Sequence, residues 1–338
     1  IFTNMTAHIL SVAPMMEWTD RHFRYLVRLM TKQTRLYTEM ITSGALVHGD
    51  RDRFLKFDDS EHPVALQLGG SHVDDMRQAA IWGAKAGYDE ININVGCPSE
   101  RVQSGGFGVY LMREPERVAA CVNAMQKEVD VPVTVKCRIG VDDDDSYEFL
   151  KYFIDTVANA GCDTFIVHAR KAWLSGLSPR ENREVPELNY QRVYTLKQDY
   201  PHLNIIINGG IDSLAQVKTH LLHVDGVMIG RYAYRHPQFL LEVDREIFGM
   251  DENRQSMQEI MQQFAHYVSG NIDAGVPLNS MTKHILNAFQ GVPGAKHWRR
   301  HLSENSHQPG RGAELIHEGL EMLNKYQSDD YELASHYG

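Results

Sequence analysis

A cysteine lies at a place in the sequence where a thiol can take part in chemistry. The stretch from Glu90 to Gly108 reads EININVGCPSERVQSGGFG. Its alternating apolar residues predict a short buried strand that ends at Gly96, with a polar, Gly-rich loop after Cys97 and Pro98. Cys97 and Pro98 are therefore expected at the rim of a sheet, where a thiol with an ordinary pKa of about 8.5 can act as an acid. A buried cysteine that merely fills space is the alternative interpretation.

Other polar or flexible residues share this position at or just after the end of an apolar strand pattern. They are Pro14, Met15, Met16, Gln67, Asn94, Lys136, His168, Asn208, Gly209, Gly210, Gly230 and Arg231. A lone histidine or a Gly-Gly pair is often only structural. Lys136 is harder to explain in that way, because a lysine in a buried strand is costly unless an anion accompanies it. The shared position of the whole set favours a binding site.

The elements that carry these residues alternate regularly between strand and helix. Eight strand patterns occur by about residue 249, near 8–15, 36–40, 64–70, 90–95, 131–140, 164–170, 203–210 and 226–231. A helix pattern follows each strand, for example over 43–54 after the second and over 236–248 after the eighth. Strands that are apolar on both faces are typical of parallel sheets covered by helices. Eight such units predict a (β/α)₈ TIM barrel. A doubly wound open sheet is the alternative, but it usually has a Gly-x-Gly-x-x-Gly turn, which this sequence lacks.

The sequence changes character at about residue 250. Four helix patterns separated by Gly and Pro, one of them over 279–292, predict a small C-terminal helical bundle, with a loose tail from residue 328. We therefore expect an α/β chain with a catalytic barrel over residues 1–249 and a helical domain over residues 250–338.

Composition restricts the classes of function. The net charge of −10 argues by itself against a nucleic-acid partner, although an acidic protein can carry a local basic cleft. Its 4 cysteines are widely spaced, so neither a disulfide framework nor a metal site is expected, and a reducing cytoplasm fits. No apolar run approaches the roughly 18 residues of a membrane span, and we expect no secretory signal.

The last two strands of the predicted barrel carry the features of a phosphate site. In this fold the glycine-bearing loops after strands seven and eight commonly bind phosphate through backbone N–H groups. Here those loops are Gly209–Gly210 and Gly230–Arg231, and the second supplies a guanidinium group. Gln67 can form hydrogen bonds in both senses with a heteroaromatic edge, and Lys136 would balance negative charge on a reduced ring. Together these features predict bound FMN.

The same residues belong to longer motifs. These are APMMEWTDRHFR, TEMITSGAL, NVGCPSERVQSGGFG, VTVKCRIG, VHARKAWLSGLSP, ENRE, INGGI, DGVMIGRYAY and VPGAKHWRRHLSE. Over nearly the whole chain the sequence resembles the tRNA-dihydrouridine synthases, in particular their bacterial A subfamily. The resemblance implies that NADPH (or NADH) reduces FMN, and that the flavin reduces uridine in the D-loop of tRNA. It implies no membrane and no obligate protein partner.

The resemblance also implies residue roles. The strand-end residues other than Asn94 would hold FMN, and Cys97 would donate a proton to carbon 5 of the uracil, opposite the hydride from the flavin at carbon 6. The residues that face the RNA would be Asn94, Arg183, Arg299 and Arg300. Members of the subfamily often read GACLM where this chain has GVYLM, so Tyr110 indicates a difference in local packing rather than in chemistry.

The helical domain contains a cluster of basic residues that bears on the choice of substrate. Lys296, Trp298, Arg299 and Arg300 combine positive charge with an aromatic ring, which suits a phosphate clamp or base stacking. A solvated helix face is the alternative interpretation.

Three other functions stay open at this point. An FMN barrel that acts on a free pyrimidine, of the dihydroorotate or dihydropyrimidine type, would not need the basic cluster. A lyase with a Schiff base on Lys136 would need neither Gln67 nor the cysteine loop, and it would be colourless. An RNA-binding protein with an inactive barrel would not need the full set of strand-end residues.

Overall fold

The structure is a computed structural model that describes residues 8–250 and 255–336, without the side chains of Arg101 and of residues 327–336. The chain forms two compact units. One contains the described residues of 1–21 and 33–230, and the other contains those of 22–32 and 231–338. The predicted functional boundary between residues 249 and 250 stays a prediction.

The first unit is built around a parallel sheet. Its strands are β1 (Leu10–Val12), β2 (Leu36–Tyr37), β3 (Ile41–Thr42), β4 (Val64–Gly69), β5 (Glu90–Val95), β6 (Val133–Arg138), β7 (Thr164–His168), β8 (Asn204–Asn208) and β9 (Gly226–Ile229). Neighbours pair in the order β1-β9-β8-β7-β6-β5-β4-β2. Because β2 and β3 both pair in parallel with β4, they form one interrupted strand.

The two ends of this sheet meet and close a barrel. Val12 donates its backbone N–H to the carbonyl of Arg35 at 2.9 Å, and Arg35 donates to Leu10 at 3.1 Å. These bonds form a parallel bridge between Ser11 and Arg35, which joins β1 to the start of β2. The predicted TIM barrel is therefore confirmed, and an open doubly wound sheet is excluded.

Helices follow the strands of this unit. They are α2 (Ser43–His48), α3 (Arg51–Leu55), α4 (Val73–Ala86), α5 (Glu100–Ser104), α6 (Pro115–Gln126), α7 (Tyr147–Asn159), α8 (Tyr190–Asp199) and α9 (Leu214–Leu221). The single helix expected over 43–54 is wrong, because the Asp50 side chain accepts the N–H of Arg53 and starts a second helix after Gly49. Gly87, at a φ of 99°, ends α4 in the left-handed conformation that glycine favours.

The segment after Cys97 is more ordered than the predicted loop. It forms α5 and then a 3₁₀ helix over Gly108–Arg113. Gly108 has a φ of 70°. Its neighbour Val109 donates to the carbonyl of Cys97 at 3.0 Å, which folds the segment back onto the cysteine. Tyr110 is 37% exposed, whereas Val109 and Leu111 are buried, so the tyrosine lies on the outer side of the turn.

The barrel interior has an apolar part and a polar part. The apolar part is a buried cluster from five strands and from the residue after β1, namely Ala13, Tyr37, Ala65, Ile166, Ile206 and Met228. The polar part comes mainly from β5, where Glu90, Asn92 and Asn94 alternate with outward-facing apolar residues and are all buried. A strand has a period of two, so these three side chains lie on the same face.

The second unit is helical. It contains α1 (Arg21–Met30) except for Arg21, which belongs to the first unit. Its other helices are α10 (Arg231–Arg235), α11 (Val243–Glu246), α12 (Met257–Asp273), α13 (Leu278–Thr282), α14 (Ala295–Asn305) and α15 (Glu314–His336). The predicted helical bundle is thus confirmed in type. Capping by Ser256 explains the start of α12, since its hydroxyl accepts the N–H of Glu259 at 3.2 Å.

Several helix predictions in the second unit were wrong in extent. The pattern over 236–248 is broken into a 3₁₀ helix, Pro237–Glu242, followed by α11. The pattern over 279–292 forms only α13, and i to i−3 turns such as Ile285 N–H to Thr282 O replace the rest. The tail predicted to be loose continues α15 as far as His336. Within the part of the chain that the structure describes, no helix has the length and apolar character of a membrane span.

Gly83 tests how closely α4 packs on the barrel. A Cβ atom at this position would lie 2.6 Å from Leu66 Cδ2 and 2.7 Å from Ile91 Cδ1. We expect Gly83→Ala to lower the free energy of unfolding by about 1–3 kcal/mol through overpacking. Gly44→Ala in α2 is the matched control, because nothing lies within 4 Å of its Cβ position. Urea unfolding that shows equal stability for the two variants would contradict this close packing.

Candidate active site

The predicted site residues of the first unit gather at one end of the barrel. In a parallel barrel the carboxyl ends of all strands lie on the same side, which we call the mouth. Asn94 on β5 is in register with Lys136 on β6, and His168 on β7 with Asn208 on β8. Strand pairing therefore brings together residues that are far apart in the sequence.

Cys97 is the accessible thiol of the chain. It is partly exposed, whereas Cys121, Cys137 and Cys162 are buried. Burial raises the pKa of Cys121 to about 11 and that of Cys137 to about 12, so both stay protonated near neutral pH. The Sγ atom of Cys97 lies 3.5 Å from the hydroxyl of Ser99. Its position at the end of β5 is the one that the sequence predicted.

The backbone around Cys97 is held from two sides. The Oδ1 atom of Asn94 accepts the N–H groups of Gly96 at 3.1 Å and of Cys97 at 2.9 Å. The Nε atom of Arg138 donates to the carbonyl of Gly96 at 2.9 Å. Asn94 is therefore a buried residue that holds the cysteine turn, and its predicted contact with RNA stays a prediction.

Arg138 is an important residue that the sequence interpretation missed. It is buried, and its Nη1 atom donates to the carbonyls of Lys171 and Asn182, each at 2.9 Å. Burial lowers the pKa of Arg138 to about 10, so the guanidinium stays charged at neutral pH. A signal was present in the sequence, since Arg138 follows Lys136 by two residues on a strand and must share its face.

The segment after β7 is organised by a second residue that was missed. Asn182 is fully buried, and its Oδ1 atom accepts the backbone N–H of Trp173 at 2.7 Å while its Nδ2 atom donates to the carbonyl of Trp173 at 2.9 Å. It lies in the 3₁₀ helix Glu181–Arg183, which places the predicted RNA contact Arg183 on the surface. No periodicity in the sequence indicates this role, because the segment is irregular.

Positive charge is concentrated at the mouth. Lys136 is half-buried, and among the described residues its Nζ atom has no hydrogen bond or ion pair. Burial and the neighbouring charge of Arg138 lower the pKa of Lys136 to about 8. Burial and the cations Arg138 and Lys136 hold the pKa of His168 well below its ordinary value, so the imidazole is neutral. The mouth is thus prepared for an anionic or electron-rich ligand.

Two amides at the mouth are already oriented by neighbours. Gln67 is buried, and its Nε2 atom donates to Asn92 Oδ1 at 2.8 Å while its Oε1 atom accepts from Asn94 Nδ2 at 2.9 Å. Asn208 donates to the carbonyl of Met228 at 2.8 Å. These amides are fixed before any ligand arrives.

The turn after β8 has a left-handed backbone at both of its glycines. Gly209 has a φ of 121° and Gly210 a φ of 69°, conformations that residues with a side chain rarely adopt. A Cβ atom at Gly209 would lie 2.7 Å from the ring of His168. The hydroxyl of Tyr190 donates to the carbonyl of Gly209 at 2.7 Å and anchors the turn.

The turn after β1 lies beside the end of β9. Ala13 donates its N–H to the carbonyl of Ile229 at 2.8 Å. The Cβ position of Gly230 is 3.9 Å from the sulfur of Met15, and Met16 is 57% exposed. Residues 14–16, which include Pro14, therefore form part of the rim. Their predicted contact with a cofactor stays a prediction.

The described residues contain no cluster of three or more His, Cys, Asp or Glu side chains that could hold a metal ion. The site at the mouth consists instead of one thiol, fixed amides and basic groups. The sequence profile described as dihydrouridine synthase (Dus) matches residues 11–324. The chain belongs to the dihydrouridine synthase family.

Individual members of the family are similar over almost their full length. A protein of Vibrio parahaemolyticus is 56% identical over 317 residues, which is 94% of this chain and 97% of the relative. One from Salmonella typhimurium is 53% identical over 320 residues, 94% of this chain and 96% of the relative. One from Escherichia coli K12 is 54% identical over 314 residues, 93% of this chain and 91% of the relative. All three are named tRNA-dihydrouridine(20/20a) synthase.

Four of the residues predicted for this dihydrouridine synthase lie in the second unit. Arg231 is the first residue of α10, and its role with a phosphate stays a prediction. Trp298 cannot stack on a base as the structure stands, because it is fully buried and its Nε1 atom donates to the carbonyl of Ile285 at 2.8 Å. Arg299 and Arg300 are exposed on the same helix, and Arg300 forms an ion pair with Glu304 at 2.8 Å.

Lys136 makes the stability of the ligand-free protein depend on pH. Its folded pKa of about 8 lies below the ordinary lysine pKa of about 10.4, so between these values the unfolded chain binds more protons. The wild type should gain stability as the pH rises through this window. We expect Lys136→Met to be more stable than the wild type at pH 7, by roughly 1–3 kcal/mol, with the difference shrinking towards pH 10. Equal differences at both pH values in urea unfolding would contradict the assignment.

Proposed function

We propose that this chain reduces uridine in tRNA to 5,6-dihydrouridine, using FMN as its cofactor and NADPH (or NADH) as the reductant. The observation that carries the proposal is the accessible thiol of Cys97, held at the mouth of a barrel beside the half-buried Lys136, in a member of the dihydrouridine synthase family. The names of the relatives support the D-loop positions 20 and 20a as the sites of reduction.

The charge and the hydrogen-bonding groups of the residues at the mouth support FMN as the cofactor. The Nζ atom of Lys136 lacks an anionic partner among the described residues, which a bound flavin would supply. The glycines at 209 and 210 form the turn after β8, where this fold commonly binds phosphate, and the fixed amide of Gln67 can bind a heteroaromatic edge. With Asn208, His168, residues 14–16 and Gly230 these residues would hold FMN. The phosphate contact of Arg231 is the remaining part of this proposal.

Reduction of the uracil double bond needs a hydride at carbon 6 and a proton at carbon 5. When bound, reduced FMN supplies the hydride. Cys97 would supply the proton from its Sγ atom, because it is the accessible thiol and its backbone is tied to Asn94 and Arg138. The thiolate that results must then take up a proton from water before the next turnover.

The RNA must present a single base to the mouth. A base that is stacked in a folded RNA cannot reach it, so the target uridine has to leave its stack. Arg299 is the strongest candidate for a phosphate contact in the second unit, since it is exposed and has no hydrogen bond or ion pair among the described residues. Asn94 and Arg183 stay predicted contacts. A tRNA substrate and four free cysteines support a cytoplasmic location.

Cys97→Ala tests the proton donor. We expect tRNA-dependent turnover to fall by about 10²–10⁴, the usual contribution of a positioned acid. FMN binding and its reduction by NADPH should stay near wild type, because the variant leaves Lys136 and Gln67 in place. Stopped-flow absorbance without oxygen separates the two half-reactions.

Cys97→Ser is the matched variant, since it keeps the shape but replaces the thiol by a much weaker acid. It should remain close to Cys97→Ala in the tRNA half-reaction. Reoxidation of the flavin by tRNA at the wild-type rate in either variant would show that Cys97 is not the acid. A protein that does not take up FMN on titration would end the proposal as a whole.

The double variant Arg299→Ala, Arg300→Ala tests the RNA surface. We expect weaker tRNA binding, with the slope of log K against log salt reduced by about one unit for each lost phosphate contact. FMN affinity should not change. The control is the double variant Arg77→Ala, Arg117→Ala, which removes the same charge from ion-paired arginines on α4 and α6. If the two double variants weaken tRNA binding equally in filter-binding titrations, the loss reflects net charge alone, and Arg299 and Arg300 are not specific phosphate contacts.

A further inference from the structure

A continuous chain of hydrogen bonds crosses the polar part of the barrel interior and ends at the cysteine turn. We call it the barrel relay. Its members, in order, are the side chains of Glu90, Thr134, Asn92, Gln67 and Asn94 and the backbone N–H groups of Gly96 and Cys97. All of the side chains are buried.

Each bond of the relay runs in the same direction. Thr134 Oγ1 donates to Glu90 Oε1 at 2.5 Å, and Asn92 Nδ2 donates to Thr134 Oγ1 at 2.8 Å. Gln67 Nε2 donates to Asn92 Oδ1 at 2.8 Å, and Asn94 Nδ2 donates to Gln67 Oε1 at 2.9 Å. The N–H of Cys97 completes the chain by donating to Asn94 Oδ1 at 2.9 Å.

The two ends determine this direction. At one end a backbone N–H can only donate. At the other end an ionised carboxylate can only accept. Burial alone would raise the pKa of Glu90, but charge and hydrogen bonding from His8, with Arg35 and Thr134, lower it to about 2. The Nε2 atom of His8 lies 2.6 Å from one carboxylate oxygen, and Tyr37 donates to the other at 2.8 Å. Glu90 is thus ionised at neutral pH and acts only as an acceptor.

We propose that Glu90, Thr134 and Asn92 are positioning residues for the reaction at the mouth, because they fix which atom of each downstream amide faces its neighbour. With Glu90 as the acceptor, the hydroxyl of Thr134 must donate to it and can accept only from the Asn92 amide nitrogen. Each following amide then donates through its nitrogen to the residue before it and accepts through its oxygen from the residue after it. The effect on the reaction rests on the proposed function, whereas the hydrogen-bond geometry of the relay does not.

The relay has two effects at the mouth. It presents the carbonyl oxygen of Asn94, rather than its NH₂ group, to the N–H groups of Gly96 and Cys97. A reversed amide would set donors against donors and release the turn. It also commits one N–H of Gln67 to Asn92 and directs its carbonyl to Asn94, which leaves the second N–H for a ligand. Residues far from the thiol thereby orient both its turn and a predicted FMN contact.

A substitution of Thr134 can interrupt the relay by removing a single hydroxyl group. Thr134→Val replaces the hydroxyl by a methyl group of similar size, whereas Thr134→Ser keeps the hydroxyl. Thr134→Ala and Thr134→Ser differ by a single oxygen atom, so they give the same comparison if the valine variant does not fold. Ile206→Val in the apolar part of the barrel is a control for general loosening, since it removes a buried methylene outside the relay.

The first readout is the rate at which iodoacetamide alkylates Cys97 in the FMN-free protein, with Cys97→Ala as the background. We expect Thr134→Val to react roughly three- to tenfold faster, the ratio that corresponds to a hydrogen bond of ordinary net strength. FMN affinity, measured by quenching of flavin fluorescence, should weaken by a similar factor. Thr134→Ser and Ile206→Val should match the wild type in both measurements, even where their thermal unfolding midpoints are lower.

Two results would overturn the proposal. One is a folded Thr134→Val protein with unchanged alkylation and FMN affinity. The other is an equal acceleration of alkylation in Ile206→Val, which would indicate loosening of the barrel as a whole. The alkylation test uses neither tRNA nor NADPH. If the proposed reaction is wrong, the Cys97→Ala kinetics will show it. The alkylation rates will still show whether Thr134 holds the cysteine turn.

Discussion

The buried carboxylate of Glu90 is the interaction on which much of the barrel depends. It accepts hydrogen bonds from Tyr37, Thr134 and His8, and Arg35 lies 3.2 Å from it. These partners come from three other places around the barrel wall, so one charge at the start of β5 connects them across the interior. A buried charge is tolerated only when it is paired and fully hydrogen-bonded, and the loss of a partner would leave a large desolvation cost.

From this charge the polar character of the interior continues along β5 towards the mouth. Asn92 and Asn94 follow Glu90 at intervals of two residues, which places all three on the inner face. The apolar cluster around Ile166 and Ile206 fills the rest of the interior. The barrel therefore combines a packed core with a strip of oriented polar groups, and the strip ends at the turn that holds Cys97.

Basic groups at the mouth complete the electrostatic design of the site. Among the described residues Arg138 has no carboxylate partner, and it donates instead to the three carbonyls of Gly96, Lys171 and Asn182. Its charge helps to lower the pKa of both Lys136 and His168. After burial, this structural guanidinium is thus the next cause of the lowered pKa of two neighbours that are predicted to bind the cofactor.

The sequence by itself determined the barrel, the helical C-terminal region and the place of Cys97. These depend on local signals, namely the period of two in the strands, the strand and helix alternation, and the Gly-Cys-Pro turn. They failed where helices are short, as over 236–248 and 279–292, since there 3₁₀ turns replace regular helix.

Only the tertiary structure decided which groups form hydrogen bonds with one another. Arg138 and Asn182 were missed because their partners lie on other strands and loops, and no spacing within their own segments records those contacts. Trp298 was expected beside the RNA, yet it packs in the helical unit, since burial of a large ring with a satisfied N–H outweighs its exposure beside two arginines. Sequence periodicity fixes the face on which a residue lies, whereas its hydrogen-bond partner depends on how distant strands align.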